Sequence, residues 1–211
     1  MAMDKSPCRL FVIPARDAPF AIILRRGPSR WYHLIRWQTE RDAFEPGAWF
    51  RGRIYEKKCD LSPDGSLLVY FCHGGAFREG YTDSWTAVSR APWLHALALW
   101  PWGTTYGGGG RFLANRRLVL HVGMPVETHP DHPARGLEIV AGQAEYHASS
   151  QEVEGADWSG RDQRGNLVYC LSGKLFRRGM GPSGVDREIA DFNNLLPDPL
   201  PAPDWAMHPV G

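Results

Sequence analysis

The amino-acid sequence predicts an all-β protein, a β-propeller-like arrangement of about five short blades with one short helix near the C-terminus. Three observations support this prediction. Short apolar or aromatic runs are separated by turn signals about every 8–12 residues. Turn-forming residues are frequent, with 23 Gly and 17 Pro among 211 residues. Two similar turn-and-strand segments also recur in the chain, which is the pattern of a repeat fold.

The length of the chain bounds the number of blades and domains. A propeller blade takes about 40–45 residues, so a chain of 211 residues has room for about five. We expect residues 1–211 to form a single domain. We also expect a Pro-rich tail over residues 197–211, packed on the body of the protein and held there by Trp205.

The first half of the chain has the pattern of successive hairpins. A strand at residues 10–13 precedes a second at 20–25, and a Gly-Pro-Ser turn separates the second from a return strand at 31–37. The period-2 stretch at 49–55 predicts a further strand. The continuous apolar run Leu67–Cys72 is typical of a strand that is buried on both faces. Later strands are predicted at 85–90, 94–100, 111–113, 118–121, 137–140, 143–147, 167–171 and 174–177.

Two segments about a hundred residues apart share one local pattern. They are Cys59–Tyr70 and Ala156–Tyr169. In each, an acidic or apolar entry leads into a tight Asp/Gly turn, and an apolar strand that ends in Tyr follows. This is how a propeller blade begins.

These residues carry a family resemblance. The segment 62–70, Ser-Pro-Asp-Gly-Ser-Leu-Leu-Val-Tyr, resembles the core of the propeller repeats in TolB-type and WD-type proteins. Asp157-Trp158, residues 162–169 and residues 173–176 together resemble a second, divergent copy. The whole chain is similar to a bacterial family with such repeats. The resemblance implies the repeat fold and brings no activity with it.

Two parts of the second half depart from a regular ring of blades. Residues 103–153 fit no blade cleanly, so a β-sandwich or a partial or distorted propeller is the structural alternative. The segment Asp186–Leu196 predicts the one convincing helix. Asp186 would be its N-cap, with Ile189, Phe192 and Leu196 on one face.

Composition and charge narrow the function classes. The chain is 43% hydrophobic and 22% charged, so it can bury a core. Its formal net charge of +1 gives no electrostatic case for nucleic acid or an anionic membrane as the main partner. No run approaches the ~20 apolar residues needed to cross a bilayer, and the apolar patch near the N-terminus is too short for a secretory signal. We therefore expect a soluble cytoplasmic protein.

The four cysteines have irregular spacing. We expect buried, reduced thiols, because free cysteine often serves as a small core residue. Cys59 and Cys72 flank a predicted turn, so a disulfide between them across a hairpin is the alternative.

The candidate binding surface is an aromatic and Gly-rich segment over residues 100–110. Exposed aromatic side chains beside flexible glycines form recognition surfaces for peptides, sugars or proteins. The alternative is that the tryptophans belong to the core, since Trp is heavily buried on average. The residues proposed to contact a ligand or partner are Trp93, Trp102, Tyr106, Gly108 and Gly109.

Histidines near the middle of the chain form a second candidate site. His129 and His132 lie in a Pro-rich loop, and His121 precedes it on a predicted strand. Imidazole groups are common zinc ligands, so these three residues could form an open metal site with Asp131 nearby. The alternative is a solvent-exposed loop, because Pro130 and Pro133 stiffen it and separate the two histidines.

Other motifs give weaker indications. Arg25, Arg26, Arg30 and Arg36 surround the first hairpin and could contact phosphate or acidic partners, or simply form a solvated edge. For catalysis, the sequence has no Gly-x-Ser-x-Gly motif. Cys72 and His73 are adjacent on a predicted strand, where neighbouring side chains point to opposite faces.

The sequence thus favours a non-enzymatic module that binds a protein or peptide partner, with no cofactor. Two alternatives remain. One is a metal-dependent hydrolase or lyase that uses the three histidines, and the other is a carbohydrate-binding module that uses Trp93, Trp102 and Tyr106.

Overall fold

The computed structural model describes residues 6–74, 81–121, 127–140, 142–143, 152–179 and 184–210. Within these ranges the chain is nearly all β, as the sequence predicts, and forms four separate sheets. Among the described residues, helical structure is confined to the 3-10 turn Glu56–Lys58 and the helix α1, Asp204–Met207. None of the described helices has the length and apolar character that passage through a lipid bilayer requires.

The sheets follow one another along the chain, and most neighbouring strands are antiparallel. Sheet A has the order β1-β2-β3-β4, formed by Arg9–Pro14, Phe20–Arg26, Trp31–Gln38 and Ala43–Arg51. Sheet B has the order β5-β7-β8-β9 with β6 also paired to β7, and its strands are Arg53–Ile54, Asp60–Leu61, Leu67–His73, Ser84–Arg90 and Ala98–Pro101.

The second half of the chain gives two smaller or more exposed sheets. Sheet C has the order β10-β11-β12, formed by Gly110–Ala114, Arg117–Leu120 and Glu138–Val140. Its last pair, β11 with β12, is parallel. Sheet D has the order β13-β14-β15-β16, formed by Trp158–Arg161, Leu167–Leu171, Lys174–Arg178 and Asp186–Asp191.

The sequence pattern explains the central position of β7. This strand pairs with β5 and β6 on one side and with β8 on the other. Residues Leu67 to Cys72 are all buried, as expected for a continuous apolar run with covered faces. Three buried clusters surround this arrangement, one between sheets A and B, one between A and D, and one between B and C.

The two repeat segments fold alike, as predicted. Residues 62–66 connect β6 to β7, and residues 162–166 connect β13 to β14. In each turn a glycine N–H donates to the carbonyl three residues earlier, Gly65 to Ser62 at 2.8 Å and Gly165 to Asp162 at 2.9 Å. Gly65 and Gly165 have φ of 75° and 79°, which a Gly adopts without steric cost.

Hydrogen bonds between these turns link the sheets in the order D, A, B, C. The Gln163 amide of the sheet D turn donates to Ala15 O and Phe20 O, which flank the β1–β2 turn of sheet A. In turn, Asp17 N donates to Pro63 O at 2.9 Å. On the far side, Asp64 N donates to the Asn115 side chain of sheet C at 3.0 Å. The first turns of all four sheets therefore lie side by side.

A buried carboxylate strengthens the junction of sheets A, B and C. Asp60 is 2% exposed and accepts the Phe112 backbone N–H at 2.7 Å. It also pairs with Arg16 at 3.4 Å, and the same guanidinium donates to Phe112 O at 2.5 Å. Arg16 of the β1–β2 turn, Asp60 of sheet B and Phe112 of sheet C thus share one hydrogen-bonded contact.

The helix predicted over Asp186–Leu196 is wrong, because Asp186–Asp191 forms the strand β16. Alternate acidic side chains pair with the basic face of β15. Asp186 bonds to Arg178 at 2.8 Å, and Glu188 bonds to Lys174 at 2.9 Å. Cross-strand pairing and the backbone ladder outweigh the modest helix propensity of this segment.

The C-terminal tail packs on the body, but Trp205 does not hold it there. Trp205 is 45% exposed, whereas Ala206 and Val210 are buried at 0% and 7%. The Arg90 guanidinium also donates to His208 O and Pro209 O. The short helix α1 lies in this tail, later in the chain than the sequence predicts.

All four cysteines are buried and free, so the alternative of a Cys59–Cys72 disulfide is wrong. The two thiols belong to the same buried cluster between sheets A and B.

Candidate functional site

A cleft of about 510 Å³ opens beside sheet B and is lined by residues of β4, β7, β8 and β9 and of the connections that join the last three strands. We call it the aromatic–histidine cleft. Apolar residues Leu94, Ala96 and Leu99 form part of its wall. Its ring-bearing lining residues are Phe50, Tyr70, Tyr81, Trp85, His95 and His132.

The floor of the cleft is fixed by packing between sheets A and B. Phe50, near the end of β4, meets Trp85 of β8 edge to face, with ring centroids 6.3 Å apart. Both residues pack against the buried cluster between the two sheets. Gly74 leaves room for the indole, because a Cβ at this position would lie 2.6 Å from the Trp85 ring. The glycine after β7 therefore allows Trp85 to turn its ring toward the cleft.

Tyr81 and two histidines form an ordered group at one wall. The Tyr81 ring stacks on His129, with centroids 4.1 Å apart and planes 14° apart. Its hydroxyl lies 3.1 Å from His132 Nε2. On the other side of the His132 ring, Nδ1 lies 2.9 Å from Ala96 O. Stacking and hydrogen bonding thus hold Tyr81 and His132 in one orientation.

These contacts fix the tautomer of neutral His132. A backbone carbonyl only accepts hydrogen bonds, so Nδ1 must carry the proton that reaches Ala96 O. Nε2 is then an acceptor, and the Tyr81 hydroxyl donates to it. Since the Tyr81 oxygen keeps its lone pairs, it can still accept a hydrogen bond from a ligand.

His95, Arg51 and Thr82 add further polar groups to the lining of the cleft. Burial lowers the pKa of His95, and the nearby His132 lowers it further. The imidazole of His95 is therefore neutral near pH 7, and it can donate through one ring nitrogen and accept through the other. The cleft combines a rigid aromatic floor with a few polar groups, which is the usual character of a ligand pocket.

Thr82 joins the cleft to the predicted binding segment over residues 100–110. Its hydroxyl donates to Ser84 O at 2.6 Å and accepts the Trp102 N–H at 3.0 Å. Trp102 in turn donates through its indole nitrogen to Tyr106 O. Tyr106 is 87% exposed and lies outside the cleft lining. The predicted surface thus adjoins the cleft without forming it.

The structure does not bring Trp93 together with Trp102 and Tyr106. Trp93 follows Arg90 in the loop that connects β8 to β9. Trp102 follows Pro101, and Pro101 pairs with Trp85 at the opposite end of the same two strands. These three side chains therefore form no common platform for a sugar ring.

Gly108 and Gly109 have an internal role rather than a surface one. Both are buried, with φ of 69° and 88°. A Cβ on Gly108 would overlap the Phe71 ring, and a Cβ on Gly109 would overlap the Lys58 carbonyl. Gly109 N also donates to Thr86 Oγ1 at 2.8 Å. The glycine run allows the chain to pass close to sheet B.

His121, His129 and His132 are not assembled into a metal site. His129 and His132 are neighbours, with ring centroids 5.7 Å apart. His121 directly follows β11, and its backbone N–H donates to Gly109 O. Over the ranges that the structure describes, no group of three or more His, Cys, Asp or Glu side chains could hold a metal ion.

The remaining sequence motifs also separate in space. Arg25 is 1% exposed and donates to the carbonyls of Phe192 and Leu195, so it connects sheets A and D. Arg36 lies over the Phe20 ring at 4.0 Å. Cys72 is fully buried, and burial raises its pKa well above the usual range, so the thiol stays protonated.

Sequence reasoning missed Tyr81, Trp85 and His95 as site residues. Tyr81 lies in a Gly-rich connection whose pattern indicates only a loop, and its partner His132 is 51 positions away. The one signal in the sequence was the presence of aromatic residues on both sides of that loop.

Comparison with family models gives no match. Among curated proteins, the chain is similar to the 2-isopropylmalate synthase of Mycobacterium leprae (strain TN), with 35% identity over 86 residues. That stretch is 40% of this chain, and the chain spans 12% of the length of the enzyme, about an eighth. The similarity is therefore to a small part of a larger protein.

Proposed function

We propose that this protein is a non-enzymatic binding module that recognises a peptide or an extended protein segment in the aromatic–histidine cleft. The observation that carries the proposal is the ordered Tyr81–His132 pair at the wall of a cleft of about 510 Å³. A cleft of this size lies within the range of roughly 300–1,000 Å³ that is usual for ligand pockets.

The side chains of the cleft suit a peptide. Tyr and Trp are enriched among residues that dominate binding energy, because each offers a large rigid area and a polar tip. Here Trp85 and Phe50 would contact an apolar side chain of the peptide. Tyr81 and His95 would bond to its backbone, which presents both donors and acceptors.

The same scaffold supports a proposal about architecture. We infer that the four described sheets are blades of an open, propeller-like arrangement related to the TolB-type and WD-type repeats. Two features support this: each sheet is built from consecutive strands, and the first turns of the sheets bond to one another in the order D, A, B, C. The described residues provide four sheets, where the length of the chain suggests about five blades.

A cytoplasmic location is part of the proposal. All four cysteines are free and buried. Free thiols are typical of proteins kept in a reducing compartment. The partial similarity to 2-isopropylmalate synthase covers 12% of that enzyme and supports no transfer of its reaction to this chain.

Selection from a random peptide library tests the proposed function. We expect the wild-type protein to enrich peptides that carry a large apolar residue. Tyr81→Ala should weaken binding of the selected peptides by about tenfold or more, the effect of losing a central interface residue. Tyr106→Ala is the matched control, because it removes an exposed tyrosine outside the cleft lining and should change the affinity less than about twofold.

Two results would count against the proposal. One is a library that yields no binding peptide, and the other is a loss of affinity in Tyr106→Ala with none in Tyr81→Ala. Tyr81→Phe separates binding from folding, because it keeps the stack on His129 and removes only the hydroxyl that bonds to His132.

A further inference from the structure

A second, smaller groove lies where sheets A, B and D meet, away from the aromatic–histidine cleft. It has a volume of about 270 Å³. Four cationic and two acidic side chains line it, an excess of two positive charges in a chain whose formal net charge is +1. The charged residues are Arg9, Arg26, Arg53, Lys57, Glu56 and Asp157.

Two of the cations are forced together by strand register. Arg9 of β1 is the direct antiparallel partner of Arg26 of β2. Partners in register place their side chains on the same face of a sheet, and like charges in such a pair repel each other. Phe11 and Leu24 are the next partners on that face, and they also line the groove. The sheet therefore presents two guanidinium groups beside an apolar surface.

The two acidic residues of the groove face partners other than Arg26. Glu56 accepts the Tyr32 hydroxyl at 2.8 Å through one oxygen and pairs with Arg53 at 3.1 Å through the other. Asp157 reaches Arg9 only at 3.9 Å. Neither carboxylate has Arg26 as its ion-pair partner.

Arg26 has no counter-charge of its own. In the part of the chain that the structure describes, its guanidinium takes part in no hydrogen bond and no ion pair. An arginine that faces a second arginine in a concave site is the arrangement that binds oxyanions, because the guanidinium donors match phosphate or carboxylate oxygens in pairs.

We propose that this groove binds a small phosphate monoester. The phosphate dianion would lie between Arg9 and Arg26, the two arginines that strand register places on one face of sheet A. The organic part of the ligand would lie against Trp158 and Phe11, which line the same groove. This site is independent of the proposed peptide cleft, so either can stand without the other.

The experiment compares two probes, inorganic phosphate and phenylphosphonate, on the full chain at low ionic strength. Binding is measured by calorimetry and by NMR of the arginine Nε–H groups. We expect both probes to shift the Arg9 and Arg26 signals, with phenylphosphonate the tighter ligand because its ring adds apolar contact. Arg26→Gln should weaken both probes by about tenfold, the usual effect of losing a charge-assisted hydrogen bond.

Arg111→Gln is the matched control. Arg111 is exposed on β10, outside the groove, so its loss changes the net charge equally and should leave both affinities unchanged within about twofold. Without either probe, Arg26→Gln should fold normally and melt no lower than the wild type, because the substitution removes a like-charge contact.

Each remaining outcome contradicts the proposal. Failure of both probes to bind at millimolar concentration rules out an oxyanion site. Equal loss of affinity in Arg26→Gln and Arg111→Gln would show that binding depends on the net charge of the protein and not on the groove. Phosphate binding that the phenyl ring does not tighten points to free inorganic phosphate and rules out the monoester.

Discussion

At the scale of single residues, buried polar groups differ in how well they are satisfied. Asp60 bonds to a backbone N–H and to a guanidinium, and it joins three sheets. His33 shows the opposite case. It is 4% exposed and stacks on Trp49, with centroids 4.2 Å apart and planes 6° apart, yet neither ring nitrogen makes a hydrogen bond of normal geometry. Its neutral ring acts as a flat aromatic group.

His33 therefore makes the protein sensitive to acid. Its pKa is lowered to about 4, mainly by desolvation and also by the charge of Arg25, while the nearby Gly47 backbone opposes the shift. Between pH 6.5 and 4 the unfolded chain binds a proton at His33 that the folded chain does not. The free energy of unfolding therefore keeps its full contribution from neutral His33 above pH 6.5. As the pH falls toward 4, this contribution decreases progressively, by about 3 kcal/mol in all.

The variant His33→Phe should remove this part of the acid sensitivity. Phenylalanine keeps the stack on Trp49 and has no ring nitrogen to protonate, so stability at pH 7 should be equal to or above that of the wild type. Urea denaturation at pH 7, 5.5 and 4.5 measures the difference. His208→Phe, at a side chain that is 64% exposed, is the control and should follow the wild-type profile. An unchanged pH slope in His33→Phe would contradict this account.

The role of a residue can be predicted from the sequence only where its partners lie within a few positions along the chain. The positive φ of Gly65 and Gly165 follows from the Asp/Gly turn pattern, because a turn of this kind needs a residue that tolerates the left-handed region. The Tyr81–His132 contact could not be predicted, since it joins residues 51 positions apart whose neighbours give no strand or helix signal. Sequence proximity alone groups Trp93 with Trp102, and a strand pair separates them.

At the scale of elements, alternation and turn chemistry predict strands well. The continuous apolar run of β7 and the hairpin pattern of β1 to β3 both appear in the structure. The segment 186–196 has the pattern of a helix because its apolar residues Ile189, Phe192 and Leu196 are spaced three to four apart. Its pairing with β15 depends on cross-strand ion pairs, which a single segment does not reveal.

The glycine run before β10 offers a test of element packing. Gly109→Ala should lower the free energy of unfolding by about 2–4 kcal/mol, because the added Cβ overlaps the Lys58 backbone and also strains a residue with φ of 88°. Gly165→Ala is the matched control. Gly165 has φ of 79°, but a Cβ added there would have nothing within 4 Å, so only the backbone strain of about 1–2 kcal/mol remains.

Chemical denaturation of the two glycine variants gives the comparison directly. A loss for Gly109→Ala that is equal to or smaller than the loss for Gly165→Ala would contradict the close approach of the glycine run to sheet B.

At the scale of the whole molecule, the sheets share their cores. One buried cluster joins sheets A and B, and another joins sheets A and D. Sheet A is therefore the common partner of its two neighbours. Composition and turn spacing predict the all-β class, but the number of sheets and their connections depend on contacts between distant segments, such as Gln163 with Ala15.

Shared cores predict cooperative unfolding. Leu175 of sheet D is 0% exposed, and Leu175→Ala should lower the free energy of unfolding by about 2–5 kcal/mol. Sheets D, A and B are linked through common clusters. The free energy of opening of the most protected β7 amides should therefore fall by the same amount as the free energy of unfolding. Hydrogen exchange measures both sheets in one experiment. Faster exchange confined to sheet D would show that the sheets unfold separately.

The central claim is that the aromatic–histidine cleft is the binding surface, and NMR mapping with a selected peptide tests it most directly. We predict that the peptide shifts the Trp85 indole and the His132 imidazole signals, and that the Tyr106 signal stays in place. A peptide that shifts Tyr106 and the Trp102 indole while it leaves Trp85 and His132 unchanged would contradict the claim and would place the surface on residues 100–110.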